Sequence, residues 1–83
     1  MNITERYRGQ AMAANSSTYV NGDSVYGFLA VTSGTITVVD DAGGPIVQSF
    51  PMAAGVYYPI PVYIGPNGGT VTLAGGASGT LLK

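Results

Sequence analysis

The chain has no cysteine and no histidine, and its only lysine is the last residue, Lys83. Without a thiol or an imidazole the common pairings of nucleophile and base cannot be assembled, and the bases that remain are Glu5, Asp23, Asp40 and Asp41. Three of these lie in stretches that read as turns and one near the start, so a paired-carboxylate site needs distant loops to converge. A non-enzymatic role without cofactor or metal is expected. Charge is the second scarcity, at 8% of residues against about a quarter in ordinary soluble domains. A net charge of −1 gives no field that would gather nucleic acid or an anionic membrane. No apolar run approaches the roughly 18 residues of a membrane span, and Met1 to Arg8 carry no hydrophobic run of the secretory kind. The absence of cysteine leaves the redox compartment open.

What is present is β patterning. Val56 to Ile64 alternates two side-chain characters without a break: Val56, Tyr58, Ile60, Val62 and Ile64 on one face, and Tyr57, Pro59, Pro61 and Tyr63 on the other. A period of two marks an extended strand. Pro59 and Pro61 lack N–H groups on the same lateral flank, which predicts an edge strand paired through its even-numbered residues and guarded on its other side. The outward stripe of tyrosine and proline holds no charge. It has three readings: cover from the same domain, a subunit interface, or a stacking platform for a ligand such as a sugar.

The remainder divides into an extended N-terminal arm, residues 1–18, and a β domain, residues 19–83. The arm holds Glu5, Arg6 and Arg8 among only seven charges. Asn21-Gly22-Asp23 reads as a turn. Val25 to Val31 reads as a central strand with both faces apolar, Val25, Leu29 and Val31 on one and Tyr26, Phe28 and Ala30 on the other. Thr35 to Val39 places Ile36 and Val38 inside and threonines outside. Asp40 to Pro45 closes a hairpin onto Ile46 to Phe50. After the strand at 56–64, Pro66 to Gly69 turns the chain into Thr70 to Ala74, with Val71 and Leu73 inside, and Thr80 to Leu82 ends it. The expected fold is all-β, a small antiparallel sandwich or barrel of about six strands. Asp40 and Asp41 offer too few oxygens for calcium and read as turn caps. The run Gly75 to Gly79 lacks the lysine and helix of a phosphate loop.

A chain of 83 residues buries only roughly 60 to 65% of its unfolded surface, so a domain without disulfide or metal gains stability from further copies of itself.

The run Gly34-Thr35-Ile36-Thr37-Val38-Val39-Asp40-Asp41-Ala42-Gly43, then Ala54-Gly55-Val56-Tyr57-Tyr58-Pro59-Ile60-Pro61-Val62 and Gly68-Gly69-Thr70, resembles a pattern in small tailed-bacteriophage structural proteins. The likeness covers residues 34–73. It implies a virion component, assembled in the host cytoplasm: a capsid decoration or cement protein, or a spike or tail attachment module. The expected partners are other copies of the chain, a trimer being favoured, and a major capsid or other virion protein, with no nucleic acid and no membrane. The expected interface residues are Arg6, Tyr7, Arg8, Tyr57, Pro59, Pro61 and Tyr63. The rival expectation is a carbohydrate-binding module of a phage fibre or surface protein that uses Tyr57 and Tyr63.

Overall fold

A computed structural model describes residues 9–20 and 24–83. Eight strands follow one another, in place of the six or so expected: β1 (Gly9–Met12), β2 (Ser17–Val20), β3 (Ser24–Thr32), β4 (Gly34–Val39), β5 (Pro45–Met52), β6 (Tyr57–Tyr63), β7 (Gly69–Ala74) and β8 (Ser78–Leu82). The difference arises at the start of the chain. From Gly9 onward the segment expected as an arm is built into the sheets, β1 on β8 and β2 on β7. Residues 1–8, and the turn expected at 21–23, lie outside the described residues.

The strands form two antiparallel sheets of four, ordered β1-β8-β3-β6 and β2-β7-β4-β5. Each strand of the first half pairs with its mirror in the second: β1 with β8, β2 with β7, β3 with β6 and β4 with β5. The chain is thus one long hairpin, rolled so that β8 meets β3 and β7 meets β4. Eight strands wound in this way make a jelly roll. The tip of the hairpin is the expected Asp40–Gly44 turn. There Asp40 Oδ1 accepts from the N–H groups of Ala42 (3.0 Å) and Gly44 (2.8 Å), and Gly43 takes φ 83°. A carboxylate occupied in this way is a turn cap.

One core lies between the sheets. Phe28, Ala30 and Leu81 from one sheet join Val20, Ile36, Val38, Val71 and Leu73 from the other, with Ile64 and Ala77 from the connections. The inward positions expected in β4 and β7 are as the alternation predicts. Gly79 makes room for the largest of these side chains, since a Cβ there would fall 2.9 Å from the Phe28 ring. The Pro66–Gly68 turn forms, with Gly68 N–H donating to the Gly65 carbonyl (3.2 Å) at φ 80°. It carries the chain from one sheet to the other and does not close a hairpin.

The two sheets dress their outer faces differently. On the sheet β2-β7-β4-β5, Thr37 stands opposite Thr72, which stands opposite Ser17. Ser17 Oγ donates to Thr72 Oγ1 (3.1 Å), and Ser49 N–H donates to Thr37 Oγ1 (2.9 Å). We call this the threonine sheet. The other, β1-β8-β3-β6, is the tyrosine sheet.

Candidate interaction surface

β6 is the last strand of the tyrosine sheet, as its prolines predict. Its alternation also stands: Ile60 is buried and Tyr58 and Val62 half-buried, while Tyr57, Pro59, Pro61 and Tyr63 are exposed. Ala30 N–H donates to the Val56 carbonyl at 3.0 Å. Bonded pairs alternate along an antiparallel ladder, so Phe28 and Tyr58 form the next bonded pair. The Leu29–Tyr57 and Gly27–Pro59 pairs turn the main-chain groups of β6 toward its free flank. Proline therefore sits where no donor to β3 is lost, and the free flank is short of N–H groups.

The neighbouring strand departs from its sequence reading. Val25 faces Val62 and Gly27 faces Pro59, so Tyr26 alone spans Ile60 and Pro61, and this one-residue slip reverses the alternation of β3. Val25, Phe28 and Ala30 point into the core, whereas Tyr26, Leu29 and Val31 stand outside, Val31 at 61% exposure. β3 is central, as expected, but its second apolar face is not buried within the fold. Gly27, at the slip, lies under the ring of Tyr57: a Cβ at Gly27 would fall 2.7 Å from Tyr57 Cε1 and Cζ. The aromatic ring covers backbone that would otherwise meet solvent.

The outer face of the tyrosine sheet thus joins Tyr26, Leu29 and Val31 to Tyr57, Pro59, Pro61 and Tyr63. At one end Ser24, Tyr26, Pro61 and Tyr63 border a hollow of about 210 Å³. Tyr57 and Tyr63 are six residues apart on one strand, roughly 20 Å, so each ring meets a ligand separately.

Around the edge of β6 lies a groove of about 450 Å³, lined by Val47 and Phe50 of β5 and by Tyr58 to Val62. It opens between the edge strands of the two sheets. Phe50 and Tyr58 meet edge to face with ring centroids 5.6 Å apart, and Tyr58 Oη accepts from Ala53 N–H at 2.7 Å. β5 resists strand addition in its own way, with Pro45 and Pro51 near its ends and Ser49 at φ 50°. The opposite side of the molecule is closed. Gln10 Nε2 donates to Thr18 Oγ1 across the sheets (2.6 Å), Met12 is buried, and Asn15 Oδ1 accepts from Gly76 N–H (2.8 Å).

Charge is absent from the groove and from the tyrosine face. Among the described residues the ionisable acids and bases are Asp40 and Asp41 at the hairpin tip and the terminal Lys83. No cluster of three metal-ligating side chains occurs among the described residues. Of the expected interface residues, Tyr57, Pro59, Pro61 and Tyr63 come together on one exposed stripe, and Arg6, Tyr7 and Arg8 lie outside the described residues. The sequence reading did not include Tyr26, Leu29 and Val31, which the slip turns outward. It also did not include the groove residues Val47, Phe50 and Tyr58, which two different sheets bring together. Compared with protein families, with curated proteins and with solved structures, the chain matches none of them.

Proposed function

We propose that the chain is a non-enzymatic structural protein of a virion, a capsid decoration or cement protein that binds and stabilises a protein lattice in several copies. One observation carries the reading: a broad outer face and the groove beside it present aromatic, proline and aliphatic side chains with no charge among them. Monomeric soluble proteins seldom expose more than a few hundred Å² of contiguous apolar surface, and surfaces of this composition bind other protein through burial. Edge strands short of donors direct such contact to side chains and away from ladder extension. The jelly roll adds support by analogy alone, since viral capsid domains use it and so do lectins. In this reading the groove between β5 and β6 receives the lattice, and Arg6 and Arg8 supply hydrogen bonds to carboxylates or carbonyls.

The test is co-sedimentation of the purified chain with isolated phage capsids that lack it. Attachment that weakens on Phe50→Ser, with the β circular-dichroism spectrum retained, supports the reading. No attachment by the wild-type chain removes it. Deletions for this purpose stop at residue 8, because residues 9–12 form β1.

The carbohydrate-binding reading has one observation of its own, the hollow beside Tyr63, whose ring is 63% exposed. Specific binding on a glycan array that is lost in Tyr63→Ala would replace the structural reading.

A further inference from the structure

We infer that two copies of the chain pack the outer faces of their tyrosine sheets against each other about a two-fold axis. This rests on the adhesive reading above and names the contact between copies, leaving the groove for the lattice.

The first ground is internal to the molecule. Its two sheets are equal in strand number and share one core, so the difference between their outer faces does not follow from the fold. The threonine sheet carries hydroxyl groups, paired across strands, that water satisfies. The tyrosine sheet carries Leu29 at 43%, Tyr57 at 44%, Val31 at 61% and Tyr63 at 63% exposure. A face of that kind lowers its free energy when something dry covers it.

Size is the second ground. The molecule is a slab of 32 × 31 × 17 Å, and each broad side is the outer face of one sheet. Four strands at about 4.8 Å spacing, the longest near 30 Å, give the tyrosine face a footprint of roughly 500 Å². Two such faces bury about 1,000 Å², the least that a specific interface needs. The 450 Å³ groove is a narrower feature and by itself does not reach this area.

Symmetry and charge select the occupant. An isologous contact brings each group to its own counterpart near the axis, so any charge on the face would meet its like. This face has none, and Lys83, which follows Leu82 at the end of β8, lies beyond the last strand residue. A strongly charged partner would find no counter-ion here, whereas a second copy offers an equal uncharged surface. The missing N–H groups of β6 stop two copies from joining edge to edge, and face-to-face packing of twisted sheets at about 10 Å remains. A two-fold contact produces even-numbered assemblies, in place of the trimer the sequence favours.

The experiment is sedimentation equilibrium of the full chain over a wide concentration range, for the wild type, Leu29→Lys and, on the threonine sheet, Thr70→Lys. The expected result is a dimer, or a multiple of it, for the wild type and for Thr70→Lys. Leu29→Lys should raise the dissociation constant roughly tenfold or more, because it sets two ammonium groups together at a buried contact, while its circular dichroism stays that of a β protein. A wild-type monomer or trimer overturns the inference, and so does a dimer that Leu29→Lys leaves unchanged. Should Leu29→Lys fail to fold, Val31→Lys carries the same readings. Capsid co-sedimentation is scored separately on the same samples. Attachment by a chain that never pairs removes this inference alone, and pairing by a chain that never attaches removes the lattice reading alone.

Discussion

The two broad sides of this molecule are made by the same device and finished for different neighbours. Both sheets have four antiparallel strands, and both send aliphatic residues into one core. Outside, the threonine sheet shows short hydroxylated side chains that bond to one another and to the backbone, and the tyrosine sheet shows rings, prolines and branched aliphatics. Inner faces are constrained by packing density, which accepts many combinations of similar volume. Outer faces are constrained only by what they meet. The difference between the two sides is therefore where function is to be read in a chain that has so little reactive chemistry.

The largest effects are expected where the sheets are alike. Phe28→Ala on the tyrosine sheet and Ile36→Ala on the threonine sheet should each destabilise the fold by about 2 to 5 kcal/mol, since both side chains are fully buried. Urea titration checks this, and a cost below 1 kcal/mol for either would show that the two sheets do not share the core equally. Gly79→Ala comes next, at roughly 1 to 3 kcal/mol, because its new methyl would press on the Phe28 ring and the Leu29 backbone.

Substitutions on the outer faces should cost the fold less and so sharpen the contrast. Thr37→Val removes the acceptor of Ser49 N–H, at about 1 kcal/mol, and makes the threonine side more like the tyrosine side. Its solution mass should then depend more steeply on concentration than that of the wild type. Gly27→Ala should cost the least stability, within about 1 kcal/mol, because the group in its way is the tip of the exposed Tyr57 side chain. It should still displace the ring, visible as a change in tyrosine near-ultraviolet dichroism, and weaken pairing of copies. An unchanged spectrum would mean that the ring does not rest on Gly27.

Several features of the fold were legible because they are local. The alternation of Val56 to Ile64 and the positions of Pro59 and Pro61 locate an edge strand, since a missing N–H excludes a residue from the ladder wherever the strand lies. Asp40 to Gly44 announces a turn because the carboxylate and the glycines act within five residues. Val71 and Leu73 point inward as their alternation predicts. By contrast, Gly9 to Met12 holds two small residues, a glutamine and a methionine, with no β-branched residue among them. It becomes a strand because Gly79 to Leu82 offers a free edge. The outward turn of Leu29 and Val31 was equally hidden. It depends on the slip between Val25 and Gly27, which exists only in relation to Pro59 and Val62.

The candidate surface divides in the same manner. Its stripe of Tyr57, Pro59, Pro61 and Tyr63 belongs to one strand and was read from that strand. The groove needs Val47 and Phe50 from one sheet and Tyr58, Ile60 and Val62 from the other, and no spacing along the chain brings those together.

The amino-acid sequence by itself determined the all-β class, the turns, the inward residues of the regular strands, the guarded edge and the poverty of charge and reactive groups. Each of these is set by the stereochemistry of neighbouring residues. Tertiary structure alone decided how the strands were shared between two sheets, which way β3 presented its apolar residues, and that one side of the molecule would be hydroxylated and the other not. Those features depend on pairing between segments far apart in the chain, where shifting the register by a single residue exchanges inside for outside.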